Sequence, residues 1–310
     1  MNTAIRPFED RDAGSVSALL RELLPHYLIT AELLVHWLRS TPERALVRFW
    51  VAEAGDDLVG WADAEFRTTV AEPGVATLWV GVAEQARRAG LGERLYSLAE
   101  KHLLERSAWK LESSYDGETG RRFAERHGFV STRIERLSTL DSCEADLSEL
   151  APLEQARRSE GFALRPLRDL LDRPHDLHAL YAEAESDIPS DDEPGEFRYE
   201  DWFEETLRSP ALEMDGSFNV VFEGRPVAFA WLDVDRDGRR AEHNLTGTLR
   251  EFRGRGLARL AKLAAIRWCA ENGIDTLLTG NDRENEPMLA INRRLGYRPT
   301  IERTEVAKVL

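Results

Sequence analysis

Two stretches of this chain read alike: AIRPFEDRD at 4–12 and ALRPLRDLLD at 163–172, each an extended apolar start with Arg-Pro followed by a helical pattern. Two later stretches also match, HGFVSTRIER at 127–136 and LGYRPTIER at 295–303. Between them lie RRAGLG, Arg87 to Gly92, and RGRGLA, Arg253 to Ala258, which are 166 positions apart, while Gly128 and Gly296 are 168 apart. A spacing held over a whole domain length reads as a tandem duplication. The chain has 310 residues, enough for each copy to bury its own core. The expected layout is a first domain over 1–142, a linker over 143–160 and a second domain over 161–310. The seam, DSCEADLSELAPLEQARRSEG, is polar, mixed in charge and breaks the strand pattern, with room for a short helix.

The order of elements is clearest in the second copy. FALRPL reads as a strand, RPHDLHALYAEAE as a helix and WFEETLRS, after a long acidic loop, as another helix. SFNVVFEGRPVAFAWLDV is a hairpin turning at Glu-Gly-Arg-Pro, and RRAEHNLTGTL is a further strand. GLARLAKLAAIRWCAENG is a helix ending at Asn-Gly, followed by the strand TLLT, the helix ENEPMLAINRRLG and the last strand TIERTEVAKVL. The fold class expected is α/β, with helices and strands alternating around a mixed sheet.

Composition excludes several partners. Acids outnumber bases 56 to 41, giving a formal net charge of -15, so the long-range field repels nucleic acid; it suits a cationic partner, and such an acidic surface is also what simply keeps a chain soluble. Cys143 and Cys269 are the two cysteines, too few for a disulfide framework or a cysteine-rich zinc site, and no metal is expected. The start MNTAIRPFEDRDAG has no apolar core of an export signal, and no apolar run approaches the roughly 18 residues of a membrane span. The expectation is a cytoplasmic protein, monomer or homodimer, without membrane or nucleic-acid partners.

RGRGLA joins a strand to a helix whose apolar face runs through Leu257, Leu260, Ala264 and Trp268. First-turn N–H groups of a helix have no intrahelical partner and carry the positive end of its dipole, so they suit an anion. Gly254 and Gly256 let the backbone turn sharply and approach a phosphate, with Arg253 and Arg255 adding charge. By itself a glycine pair with arginines is also what a plain tight turn needs. Its recurrence in both copies, between strand and helix each time, favours the phosphate.

At these residues both copies resemble the GCN5-related N-acetyltransferases (GNAT), whose signature Arg/Gln-x-x-Gly-x-Gly/Ala precedes the helix that holds the pyrophosphate of acetyl-CoA. Arg87-Arg88-Ala89-Gly90-Leu91-Gly92 fits it, as does Arg253-Gly254-Arg255-Gly256-Leu257-Ala258. The second copy is further similar over about 242–299 to a branch common among actinobacterial acetyltransferases. The resemblance implies two tandem acyl-CoA N-acyltransferase domains. It places acetyl-CoA on Thr246, Gly247 and Thr248 at the strand end, on the Arg253–Ala258 loop and on Asn285, with the Arg87–Gly92 loop as its counterpart.

Attack of an amine on a thioester needs a base to take the amine proton. The resemblance puts a strand glutamate eleven positions before the first signature arginine, which is Glu242 in the second copy and Ala76 in the first. Strand alternation sets Glu242, Asn244 and Thr246 on one face and His243 on the other, so Glu242 and Asn244 are expected to line one cleft, Asn244 as an acceptor ligand. His243 is the rival base if the register slips by one. The family's Asn-x-x-Ala-x-x-x-Tyr survives as Asn285, but its proton-donating tyrosine is Asn292 here; Tyr297 is close in sequence, in a place suited to packing. In the first copy the matching positions are Gly117 and Ala124, so that copy is expected to be degenerate and mainly structural.

The resemblance places the acidic segment Asp187–Glu205 over the acceptor site, with Asp187 as an acceptor ligand, although a charge run of this kind is also an ordinary solvated surface. The resemblance implies an acetyl-CoA-dependent N-acetyltransferase acting on a primary amine of a small molecule by direct attack. A mycothiol-synthase-like or natural-product acetyltransferase is the alternative within the class. A non-catalytic acyl-CoA-binding protein is the alternative outside it, kept open by Asn292.

Overall fold

The structure, a computed structural model, describes residues 3–310. Contacts between residues divide it into two units, one ending at 135 and joined by 190–205 and 302–310, the other made of 136–189 and 206–301. The acidic segment after 190 and the last strand of the second copy are therefore counted with the first unit.

The first unit contains β1 (Ala4–Pro7), α1 (Ala13–Leu23), α2 (Ala31–Ser40), β2 (Arg48–Ala54), β3 (Asp57–Phe66) and β4 (Val75–Val82). It continues with α3 (Leu91–Leu104), β5 (Lys110–Tyr115), α4 (Gly117–Arg126) and the start of β6 (Val130–Asp141). Strands β1 to β4 pair antiparallel in sequence order. β5 joins β4 in parallel, which the long crossover through α3 permits. α2 starts where the Thr30 hydroxyl accepts from the Leu33 N–H at 3.1 Å, a side-chain cap for an otherwise orphaned donor. Val16, Trp61, Leu91, Leu95 and Leu103 are fully buried between sheet and helices.

The second unit takes the rest of β6, then α5 (Leu150–Ser159), β7 (Phe162–Pro166) and α6 (Pro174–Glu185). The expected linker thus holds a helix. The short α7 (Tyr199–Trp202), counted with the first unit, continues directly as a π-helix over Phe203–Leu207, so a helix stands where WFEETLRS was expected to form one. β8 (Phe218–Phe222), β9 (Arg225–Asp235), β10 (Arg240–Thr248), α8 (Leu257–Glu271), β11 (Thr276–Asp282), α9 (Glu286–Arg294) and β12 (Arg298–Val309) complete the chain. β7 to β10 pair antiparallel and β11 joins β10 in parallel, repeating the first unit's arrangement. The β8–β9 turn consists of Glu223 and Gly224, both at positive φ (48° and 79°), the geometry whose twist matches a hairpin. The end of β12, Thr304–Val309, pairs antiparallel with β5, so the final strand closes the first unit's sheet. Among the described residues no helix is long and apolar enough to cross a membrane.

Candidate active site

In each unit the parallel strand pair opens where the helix-bearing loop begins. β4 pairs with β5 over Val75–Thr77, and β10 with β11 over Arg240–Glu242, after which the ladders stop. Glu242 is the last residue of β10 paired with β11, at the mouth of the opening.

β10 carries a bulge that β4 lacks. Its register against β9 runs Glu242 to Asp233 and His243 to Leu232, then resumes with Thr246 at Ala230 and Gly247 at Phe229, one residue having been inserted. The inserted residue reverses the alternation. Thr246 therefore shares the face of His243, and Gly247 that of Glu242, which corrects the expectation that Glu242, Asn244 and Thr246 point one way. The same insertion shifts the match between copies. Thr77, opposite Glu65 and beside Glu112, stands where Glu242 stands, and neither it nor Ala76 is an acid.

α6 covers the Glu242 face. A side chain at Gly247 would run into Ala184 Cβ, and Tyr181 stacks on Phe229 at 5.6 Å. The buried Tyr181 hydroxyl donates to Asn244 Oδ1 at 2.9 Å, and Asn244 Nδ2 donates to Asp233 Oδ2 at 2.8 Å. Asn244 thus ties α6 to Asp233, directly across from Glu242. Tyr181 and Asp233 escaped the sequence reading, since Tyr181 looks like one more core position of its helix; the alternation through Trp231 and Asp233 was the available signal.

His243 lies behind the strand. It is buried with Nε2 2.8 Å from the Tyr297 hydroxyl, and Lys262 Nζ lies 5.1 Å from the centre of the Tyr297 ring. Burial, with Lys262 beside it, holds the imidazole well below its usual range, and burial pushes the Lys262 amine down to about 7. His243 thus faces the core, on the side of β10 opposite Glu242.

The loop takes similar left-handed φ values at matching positions in the two copies. Gly90 and Gly256 take φ of 77° and 74° at the N-caps of α3 and α8, and neither helix has a side-chain cap. Arg88 and Gly254 precede them at φ of 64° and 75°. Arg87 Nε donates to Val82 O at 2.9 Å and Arg253 Nε to Thr248 O at 3.0 Å, so the first signature arginine is anchored to its own strand end in both copies. Arg255 lies over the Phe162 ring at 5.9 Å. Ala89, Leu91 and Gly92 in the first copy, and Leu257 and Ala258 in the second, complete the turn into the helix, the two leucines buried.

Other residues singled out in the sequence have partners of their own. Asp187 is paired with Arg250 at 2.8 Å and with Arg253, not held free for an amine. Further along the same segment, Asp192 pairs with Lys110 at 2.8 Å, Asp191 with Arg133 at 2.8 Å and Asp201 with Arg44, so these acids are neutralised within the first unit. Asn285 caps α9, its Oδ1 accepting from the Met288 N–H at 3.3 Å. Asn292, at the tyrosine position, donates from Nδ2 to Asn281 Oδ1 at 2.6 Å.

A coenzyme fits these residues. The uncapped α8 N-terminus has open space, for a side chain at Gly254 would meet nothing within 4 Å. Thr246 Oγ1, on the core side of β10 with His243, and Asn292 Oδ1, on α9, are buried without a hydrogen-bond partner among the described residues.

The first unit has an unexpected feature on the matching face. Asp63, which accepts from Trp61 Nε1 at 2.7 Å, and Glu205 are both pushed up to about 7, by burial first. Glu65, Asp116 and Glu135 are raised by burial as well.

Comparison with known proteins accords with this geometry. The sequence model of the Acetyltransferase (GNAT) family matches residues 16–129 and again 175–297. A mycothiol acetyltransferase of Kytococcus sedentarius is 30% identical over 234 residues, 72% of this chain and 74% of its own. That of Saccharomonospora viridis is 28% identical over 262 residues, 82% and 80% respectively. In structure, a tandem GNAT protein from the clavulanic acid biosynthesis pathway aligns with TM-score 0.73 at 19% identity, covering 99% of this chain and 98% of that one. A GCN5-related N-acetyltransferase from Sphaerobacter thermophilus aligns at 0.68 with 18% identity, covering 99% and 95%. With the duplicated strand-loop-helix in both units and a family match over each copy, this chain belongs to the GNAT acetyltransferase family, as an N-acetyltransferase of the tandem form.

Proposed function

We propose that the second unit is the catalytic one and transfers an acetyl group from acetyl-CoA to a primary amine of a small molecule by direct attack. The observation that carries this reading is the placement of Glu242, an acid at the mouth of the β10–β11 opening, on the strand that leads into the uncapped α8 N-terminus. The first unit has the loop but Thr77 in place of the acid.

Bound acetyl-CoA supplies an acyl group activated as a thioester. The backbone N–H groups of Gly254–Ala258 and the α8 dipole hold its pyrophosphate. The backbone of Thr246, Gly247 and Thr248, where no β11 ladder competes for the N–H groups of β10, would hold the thioester arm and offer donors to its oxygen. Glu242 accepts the proton of the amine as its nitrogen attacks. Asn244, fixed by Tyr181 and Asp233, orients the amine beside it. The departing thiolate, with an ordinary pKa of about 8.5, needs little protonation near neutral pH, which accommodates Asn292.

The test is release of free CoA thiol from acetyl-CoA with a broad amine panel. Glu242→Gln is expected to lower kcat by about 100-fold or more with acetyl-CoA affinity unchanged. A purified chain that releases no thiol above background with any amine would count against the reading. The mycothiol acetyltransferases among its relatives favour a second reading, in which the amine belongs to a thiol-bearing conjugate; thiol-bearing amines in the panel separate the two.

A further inference from the structure

The chain between α6 and its following loop grips the coenzyme loop of the second unit. Glu183 Oε1 accepts from the Arg250 backbone N–H at 2.6 Å, from the turn that separates β10 from the loop. Asp187 Oδ1 accepts from Arg250 Nη2 at 2.8 Å, and Asp187 Oδ2 accepts from Arg253 Nη2. Arg253 is in turn fixed to Thr248 O. One short stretch at the end of α6 therefore holds both arginines that flank the turn.

The first copy supplies an internal control. Arg87 keeps the bond to its strand end, yet among the described residues no carboxylate pairs with it, and the residue 166 positions before Asp187 is Arg21, which donates to Ile29 O at 3.1 Å. The grip is thus particular to the copy that carries Glu242. A carboxylate has the wrong sign to attract a pyrophosphate, and this one is not left for an amine, because both of its oxygens are committed to guanidinium groups. A single exposed ion pair contributes little, but three contacts on one turn form a network that restricts it.

We propose that Asp187 is a positioning residue of the coenzyme loop: by holding Arg250 and Arg253 it keeps the amides of Gly254–Ala258 arranged to receive a pyrophosphate. The proposal rests on the reading that this loop binds acetyl-CoA. Orientation of donors before binding removes an entropic cost, so its loss appears in coenzyme affinity and not in the chemical step.

Asp187→Asn and Asp187→Glu in the full chain test it. For Asp187→Asn the expected result is a KM for acetyl-CoA raised about three- to tenfold, with kcat, amine KM and Tm unchanged, the size of one lost charge-assisted contact. Amide hydrogen exchange across 253–258, measured without coenzyme, is expected to speed up, and Asp187→Glu to restore both readouts in part. A rise in amine KM with acetyl-CoA KM unchanged would make Asp187 an acceptor ligand and overturn the proposal. Unaltered exchange across the loop would overturn it too, and does so independently of whether the chain turns over acetyl-CoA.

Discussion

Replacing Gly256 by glutamate and, separately, by glutamine isolates the electrostatic part of the loop's task. Gly256 sits at φ 74°, and a side chain there would meet Arg259 Nη2 and Leu153 Cδ1 no closer than 3.8 Å, so space is not the obstacle. The left-handed backbone costs a non-glycine residue about 1–2 kcal/mol. Roughly 0.4–1 kcal/mol returns through the stiffer unfolded chain. Both variants should therefore lose about 1 kcal/mol of stability and melt within about 4 °C of the parent. They differ in one charge. A carboxylate about 4 Å from a phosphate charge is repelled by about 1 kcal/mol in water and about 4 kcal/mol at the effective dielectric of a protein surface. With two phosphate charges the smaller figure already gives about 2 kcal/mol, or roughly 30-fold in affinity. Titration calorimetry with acetyl-CoA at low salt should show Gly256→Glu binding at least that much more weakly than Gly256→Gln, and the gap should narrow at about 0.5 M salt. Equal affinities for the two variants would refute the reasoning. So would the same gap at Gly90 with none at Gly256, which would move the binding loop to the first unit.

Three further outcomes follow from the structure. Arg88 adopts φ 64° where the second copy has Gly254, so Arg88→Gly should raise stability by up to about 1 kcal/mol, and a lowered Tm would contradict the strain. Lys262 is buried with its amine pushed down to about 7 from an ordinary 10.5, so the folded state binds fewer protons than the unfolded one between these values. Relative to Lys262→Met, the parent should gain stability as pH rises from about 7 to about 10, by several kcal/mol at most; a flat difference in denaturant midpoints would show that the amine is solvated. Asp63 has the opposite sign: raised to about 7 from 3.8, it makes the parent lose stability relative to Asp63→Asn as pH rises from about 4 to about 7, and a difference that grows the other way would place a cation beside it.

The duplication, the strand-loop-helix in each copy and the hairpin at Glu223-Gly224 were legible because each is local: a repeated motif, a glycine requirement or a period in hydrophobicity. The bulge after His243 was not, since an inserted residue leaves the composition of AEHNLTG unchanged and shows only against β9. It altered which residues accompany Glu242 on one face. The chain's last strand illustrates the same limit. TIERTEVAKVL reads as a strand, but nothing in it says that its end will pair with β5. Asp187 was noticed for its charge and its place in an acidic run, while its partners Arg250 and Arg253 lie more than 60 residues on. The same holds for Tyr181, Asn244 and Asp233, whose hydrogen bonds join a helix to two strands across a distance in sequence that no local pattern encodes.

The most direct measurement is a crystal structure of the chain soaked with acetyl-CoA. The account predicts the pyrophosphate on the amides of Gly254–Ala258, the thioester in the opening between β10 and β11, and the Glu242 carboxylate facing the acetyl carbon across room for an amine. Coenzyme bound only at Arg87–Gly92, or a thioester beyond the reach of Glu242, would contradict the assignment of catalysis to the second unit.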